Sequence, residues 1–258
     1  MAHAWSPEVY GRYGEARLRP ALDLLARVPL GDADTVIDLG CGAGALFPAL
    51  RAQFPAARLI GVDLSRAMLD RARGIDDTAE PIEADATSWR PQAPVDLIIA
   101  NAALQLVAGH ERLLPDLLHH CRVLAVQVPD NFNAPSHRLL RETMAVGPWA
   151  ERLAEETLGD RVLTPERYLA VLRDAGATVD LWRTTYFQQL AGEDAVLDWM
   201  RGTTLLPVQS ALGGARAEST LAFEALLGEK LRAAYPPDAP GMVLFPFSRL
   251  FFVAQVPV

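Results

Sequence analysis

Cysteine is nearly absent from this 258-residue chain, which carries only Cys41 and Cys121. Two cysteines cannot build a disulfide framework, and a thiolate zinc site normally recruits three or four ligands at short spacing, so no metal is expected. No apolar stretch reaches the roughly 18 uninterrupted residues of a membrane span. No secretory signal is expected either, because Met1 to Tyr10 shows no basic region followed by an apolar core. Lys and Arg form no run, and the formal net charge is -8. That average field repels a phosphate backbone or an anionic membrane, which disfavours nucleic acid and lipid surfaces as partners. A cytoplasmic protein acting on a small molecule is the expectation left. Oligomeric state is not legible.

Half of the residues are apolar and 22% are charged, a balance that supports a real core within one domain spanning 1–258. Apolar β-rich runs alternate with helical patterns, the signature of a parallel sheet with crossover helices. Strands are expected at Thr35 to Leu39, Arg58 to Asp63, Pro81 to Ala84, Val95 to Ala100 and Arg122 to Val128. Two long late strands, Ala177 to Leu190 and Met242 to Val256, are separated by helices, so the last is expected to return antiparallel. The fold class is therefore α/β: a doubly wound, mostly parallel seven-stranded sheet with a helical cap. Its expected parts are N-terminal cap helices (1–30), a cofactor-binding core (31–130), substrate-cap helices with one core strand (131–240) and the last strand (241–258).

Gly40, Gly42 and Gly44 follow the first strand and open a helix, where glycines let backbone approach a ligand closely. With Ala45 they also satisfy a dinucleotide pattern, so the glycines alone do not choose between NAD and S-adenosylmethionine (SAM). Charge separates the two. A carboxylate at Asp38 would face the pyrophosphate of NAD, whereas SAM presents an ammonium and a sulfonium there. Asp63 ends the second strand, within reach of ribose hydroxyls. Asp85 follows the third, placed for the adenine amino group, and Asn101 follows the fourth, near the methionine half. All lie at strand carboxyl ends, where open α/β sheets bind ligands.

The segment Val36-Ile37-Asp38-Leu39-Gly40-Cys41-Gly42-Ala43-Gly44 resembles the first motif of class I SAM-dependent methyltransferases. Gly61-Val62-Asp63-Leu64-Ser65 with Met68-Leu69, Ala84-Asp85-Ala86, and Asp96 to Ala102 resemble their later motifs. The resemblance implies a cofactor set of Asp38, Gly40, Cys41, Gly42, Gly44, Asp63, Leu64, Met68, Asp85, Ala86, Asn101, Ala102 and Gln105, with S-adenosylhomocysteine (SAH) as product.

Further segments resemble the trans-aconitate methyltransferases: Trp5-Ser6-Pro7 with Tyr10 and Arg17; Asn101 to Gln105 with His110; Gln127 to Asn131 with Pro135-Ser136-His137. Trp182 with Thr184-Thr185-Tyr186, Trp199 with Gly202-Thr203, and Phe245-Pro246-Phe247 with Arg249 continue the match. That resemblance implies methyl-ester formation on a carboxylate of a small organic acid, with Trp5, Tyr10, Arg17, His137, Tyr186, Trp199 and Arg249 lining the acceptor site. Three positions depart from the pattern: Leu206 and Ser248 replace arginines, and Gln188 replaces a histidine. Arginine forks pair bidentately with carboxylates, so a substrate with fewer carboxylates or a larger apolar part is expected unless Arg249, Arg183 or Arg201 compensates.

A carboxylate nucleophile is ionised at neutral pH and needs no general base, so the protein's contribution is positioning and exclusion of water. For a hydroxyl or amine acceptor a base is wanted, and His137 and His110 are the candidates. Alternatives stay open: O- or N-methylation of another biosynthetic small molecule, a SAM-binding protein without transferase activity, or a nicotinamide-dependent oxidoreductase.

Overall fold

The computed structural model describes residues 14–154, 156, 161–238 and 240–256. These form two compact units. One comprises Glu15–Pro129, Arg161–Thr184 and Arg249–Val258; the other takes in Asp130–Asp160 and Thr185–Ser248.

In chain order the elements are α1 (Gly14–Leu25), β1 (Thr35–Leu39), α2 (Phe47–Gln53), β2 (Arg58–Asp63), α3 (Arg66–Ala72), β3 (Glu80–Glu83) and β4 (Val95–Asn101). A 3-10 turn (Leu104–Leu106), α4 (His110–Leu118), β5 (Cys121–Pro129), α5 (Pro135–Met144), α6 (Ala150–Leu153) and α7 (Pro165–Asp174) follow. The chain ends with β6 (Thr178–Ala191), α8 (Ala195–Arg201), α9 (Leu206–Ala211), α10 (Glu218–Ala234) and β7 (Met242–Gln255). The sheet order is β3-β2-β1-β4-β5-β7-β6. Strands β1 to β5 pair in parallel, and β7 returns antiparallel to β5.

Several boundaries follow from short-range chemistry. The helix expected to open in the glycine loop begins only at Phe47, where Pro48 occupies the first turn and sacrifices no intrahelical bond. Ser65 caps α3, its hydroxyl accepting the Met68 N–H at 3.4 Å. Pro207 likewise starts α9 rather than breaking a helix.

Register fixes which side chains share a face, because neighbours in a ladder point the same way and successive residues alternate. Ile37, Leu39, Ile60, Val62, Ile98, Ala100, Leu124, Val126 and Phe252 fall on one face and join the core with Leu113, Leu114 and Leu117 of α4 and Tyr168 of α7. Burial of each such large side chain contributes about 1.5–3 kcal/mol. The opposite face has a different character at its carboxyl end. Asp38 pairs with Gly61 and with Ile99. Two residues further on stand Asp63 of β2 and Asn101 of β4, and Asn101 pairs with Gln127 of β5. Gln127 pairs with Phe251 of β7, and Pro129 with Arg249. Asp38, Asp63, Asn101, Gln127 and Arg249 therefore share one face of the sheet.

The second unit is mainly helical. Trp149 anchors it by donating its indole N–H to the Thr143 carbonyl at 2.7 Å and meeting Phe223 edge-on at 5.2 Å. Among the described residues no helix is long and apolar enough to cross a membrane.

Candidate active site

The glycine loop is stitched to β2 by backbone. Gly40 and Cys41 both donate to the Val62 carbonyl, at 2.7 and 3.0 Å. Gly40 has φ +79°, and a Cβ there would stand 2.3 Å from the Ala103 Cβ, so both conformation and space demand glycine. Gly42 differs: its φ is +54°, yet a Cβ would meet nothing within 4 Å. That open space is where a ligand can approach the backbone.

Asp63 holds the loop in place. Its Oδ2 accepts the Gly42 N–H at 2.9 Å and its Oδ1 the Ser65 N–H at 2.8 Å. Each oxygen keeps a lone pair for a further donor. Asp38 is only 3% exposed. Burial, and secondarily the charge of Asp63, pushes its carboxyl up to about 7. A carboxylate in that position is stabilised by a bound cation. Asp85 is exposed and accepts the Thr87 N–H at 2.8 Å, a bond that lowers its pKa and leaves it ionised. Leu64 is also exposed, while Met68 and Ala86 are half-buried. Cys41 is buried, and burial pushes its thiol up, which suits packing and not thiolate chemistry.

The turn after β4 is strained. Ala102 has φ +52°, the one positive φ of a non-glycine among the described residues. Such a residue costs about 1–2 kcal/mol, and strain of this kind gathers at functional sites. Two bonds hold the turn: Ala102 N–H donates to the Gln127 carbonyl at 3.0 Å, and Gln105 Nε2 donates to the Ala102 carbonyl at 2.6 Å. Asn101 Oδ1 and Gln105 Oε1 are buried and have no partner. The group expected here presents an ammonium, which only donates. The Asp38 carboxylate on β1 and two unused carbonyl oxygens, one at the end of β4 and one in the 3-10 turn that follows it, match it chemically.

His110 is buried with both ring nitrogens engaged: Nδ1 lies 2.6 Å from the Tyr168 hydroxyl and Nε2 2.8 Å from the Leu104 carbonyl. A carbonyl can only accept, so Nε2 carries the proton and Nδ1 accepts from Tyr168. Burial lowers its pKa, and it anchors the 3-10 turn that carries Gln105. His137, in the second unit, is buried, meets Phe132 edge-on at 5.5 Å, and is lowered by burial and by Arg141 to about 4. It is neutral at physiological pH.

Tyr186 and Trp199 are both buried in the second unit, where Trp199 packs on Phe245 and Phe247. Arg201 is committed to Glu224 at 2.8 Å and to Asp198 at 2.5 Å, so it does not stand in for the replaced arginines. Ser248 Oγ lies 2.8 Å from Thr185 Oγ1. Arg249 is 7% exposed. Trp5 and Tyr10, and the side chain of Arg17, lie outside the described residues.

Sequence reasoning passed over Gln127 as a site residue. Its side chain is fully buried, and neither Nε2 nor Oε1 has a partner. The available signals were one amide inside the apolar run of β5, Val123 to Val128, and its place at the head of the family-like segment Gln127 to Asn131.

The chain matches a family described as "Methyltransferase domain" over residues 36–124, the span that holds the cofactor set. It is 46% identical to the trans-aconitate 2-methyltransferase of Azoarcus sp. (strain BH72), covering 97% of this chain and 98% of that protein. It is 48% identical to the trans-aconitate 2-methyltransferase of Streptomyces coelicolor, covering 99% and 88%. Among solved structures it resembles the cyclopropane synthase MmaA2 from Mycobacterium tuberculosis, with TM-score 0.55 and 18% identity over 93% of this chain and 85% of that one, which shows a shared fold. Fold and relatives together define a SAM-dependent methyltransferase. The chain belongs to the trans-aconitate 2-methyltransferase family.

Proposed function

We propose that this protein methylates a carboxylate of a small, trans-aconitate-like organic acid, giving a methyl ester and SAH. One observation carries the reading: identity to relatives of that name extends over 97% of the chain or more, substrate half included. When bound, SAM supplies an electrophilic methyl group; a carboxylate lone pair forms the O–C bond as the C–S bond breaks, its electrons staying on sulfur.

No proton has to move, which agrees with the histidines: His110 is spent on Tyr168 and Leu104, and His137 is buried and neutral. Asp38 meets the ammonium, with Asn101 and Gln105 supplying further acceptors. Asp63 receives the ribose hydroxyls through its free lone pairs, Asp85 receives the adenine amino group, and exposed Leu64 and half-buried Met68 cover the base. Gly40, Cys41, Gly42, Gly44, Ala86 and Ala102 shape the backbone around it. Tyr186, Trp199, His137 and Arg249, with Trp5, Tyr10 and Arg17, are the residues that the family resemblance offers for binding the acceptor. The whole span 1–258 works as one catalytic domain, in the cytosol. With Arg201 engaged elsewhere and serine and leucine at 248 and 206, acids with fewer than three carboxylates are expected to compete well with trans-aconitate.

The test is a coupled assay of SAH release with a panel of mono-, di- and tricarboxylic acids. Turnover of trans-aconitate or a close analogue supports the reading. Silence across the panel, with SAM still bound by calorimetry, refutes it.

A further inference from the structure

Buried amide groups without partners are rare in folded proteins, because each forgoes its hydrogen bonds to water and gains nothing in exchange. Gln127 is fully buried with both side-chain polar atoms unused. Asn101 stands beside it in register on β4, and the orphan there is an acceptor, Oδ1. On the other side its register partner Phe251 stacks on Trp182, with centroids 5.0 Å apart and rings inclined by 8°. Arg27 lies 4.4 Å over the Trp182 ring. The aromatic stack offers the amide no hydrogen-bond partner.

Position along the sheet edge assigns the ligand. Residues proposed to hold the cofactor stand at the ends of β3, β2, β1 and β4 in that spatial order: Asp85, Asp63, Asp38 with the glycine loop, then Asn101. Strands repeat every ~4.8 Å, so Gln127 on β5 stands one step past Asn101 and two past Asp38. The next strand, β7, brings Arg249 to the same face. From the ammonium end outward the edge thus turns from carboxylate and carbonyl acceptors to an amide whose donor is also unused, with the positive charge of Arg249 on the next strand. That polarity suits an anion lying beyond the methionine half of the cofactor.

We infer that Gln127 is a substrate-binding residue for the reaction, its Nε2 donating to the non-attacking oxygen of the carboxylate that receives the methyl group. The inference rests on the ester-forming reading above. A neutral amide is suited to the role: it orients the carboxylate without the full charge pairing that would make the attacking oxygen a poorer nucleophile.

The test compares wild type with Gln127→Leu and Gln127→Glu, both as full-length protein. Leu removes two orphaned polar atoms at similar volume, so ligand-free Q127L is expected to melt at or above the wild-type temperature. SAH affinity by calorimetry is expected to stay within about twofold. The KM for trans-aconitate is expected to rise roughly 10–100-fold, the value of one hydrogen bond to a charged group. Glu lacks the donor when ionised and repels the acid, so Q127E is expected to lose more activity and to recover part of it as pH falls. An unchanged KM in Q127L overturns the inference. A parallel loss of SAH affinity overturns it as well, moving Gln127 to the cofactor side, and a marked fall in melting temperature assigns the amide a structural role. Wild-type silence with every carboxylic acid is a separate result that removes the ester-forming reading and the inference with it.

Discussion

Asp63 and Gly42 are joined by a hydrogen bond of 2.9 Å, from the Gly42 N–H to Oδ2, while the other oxygen of the same carboxylate receives the Ser65 N–H at 2.8 Å. A residue assigned by sequence to the ribose is thus also the clamp between the first and second ligand-binding loops. Asp63→Asn keeps one carbonyl oxygen and puts an N–H where the other was, leaving one backbone donor unmet. Chemical denaturation is expected to show a loss of about 1–2 kcal/mol, with SAH affinity falling at least tenfold. A variant that loses affinity at unchanged stability would mean the clamp carries no structural weight.

The two loop glycines should fail in different ways. Gly40→Ala drives a Cβ to within 2.3 Å of the Ala103 Cβ in a left-handed conformation. A loss of roughly 2–4 kcal/mol is expected, read as a drop in melting temperature. Gly42→Ala meets no neighbour and costs only the conformational strain, about 1 kcal/mol. It should fold and lose SAH binding by calorimetry. Equal stability losses in the two variants would contradict this account.

Asp38 makes ligand-free stability depend on pH with a definite sign. Its folded pKa, about 7, lies above the ordinary aspartate value, so the folded state binds more protons between the two. The stabilising contribution is complete below pH ~4 and is lost as pH rises through 7, by at most roughly 4 kcal/mol. Asp38→Asn removes this dependence, so its stability relative to wild type should increase between pH 5 and 8. A cation bound beside Asp38 ionises it. SAM binding should therefore tighten from pH 5.5 to 7 and release a proton, detectable by calorimetry in buffers of different ionisation heat. A pH-independent affinity with no proton release would be the contrary result.

His110 and Tyr168 separate a structural histidine from a catalytic one. Tyr168→Phe removes the hydroxyl that lies 2.6 Å from Nδ1. It is expected to cost about 1–2 kcal/mol of stability and leave the pH dependence of kcat unchanged. A shifted pH profile at constant stability would reinstate His110 as a proton carrier.

Strands β1 and β2 could be read from sequence to the residue, because parallel central strands are continuous apolar runs and their ends carry the binding acids. β3 was displaced by one residue: Glu80-Pro81-Ile82-Glu83 is short and half-exposed, so no apolar run marks it. Alternation also marked β6, and two long late strands separated by helices pointed to the antiparallel return of β7. Distant pairings were not legible. Nothing local in Arg201 reveals its pairing with Glu224, 23 residues away and buried, yet that pairing removes it from the available cations. The His110–Tyr168 contact spans 58 positions and turns a base candidate into an anchor. Gln127 opens a segment that resembles the family, yet one amide in an apolar strand carries no sign of a site role until the register sets it beside Asn101.

The central claim is tested most directly by incubating the protein with trans-aconitate and SAM carrying an isotopically labelled methyl group, then identifying the product by mass spectrometry. The account predicts an acid that has gained one labelled methyl group and loses it on saponification, in step with SAH release. A product whose label survives saponification, or SAH release without methylated acid, would contradict ester formation.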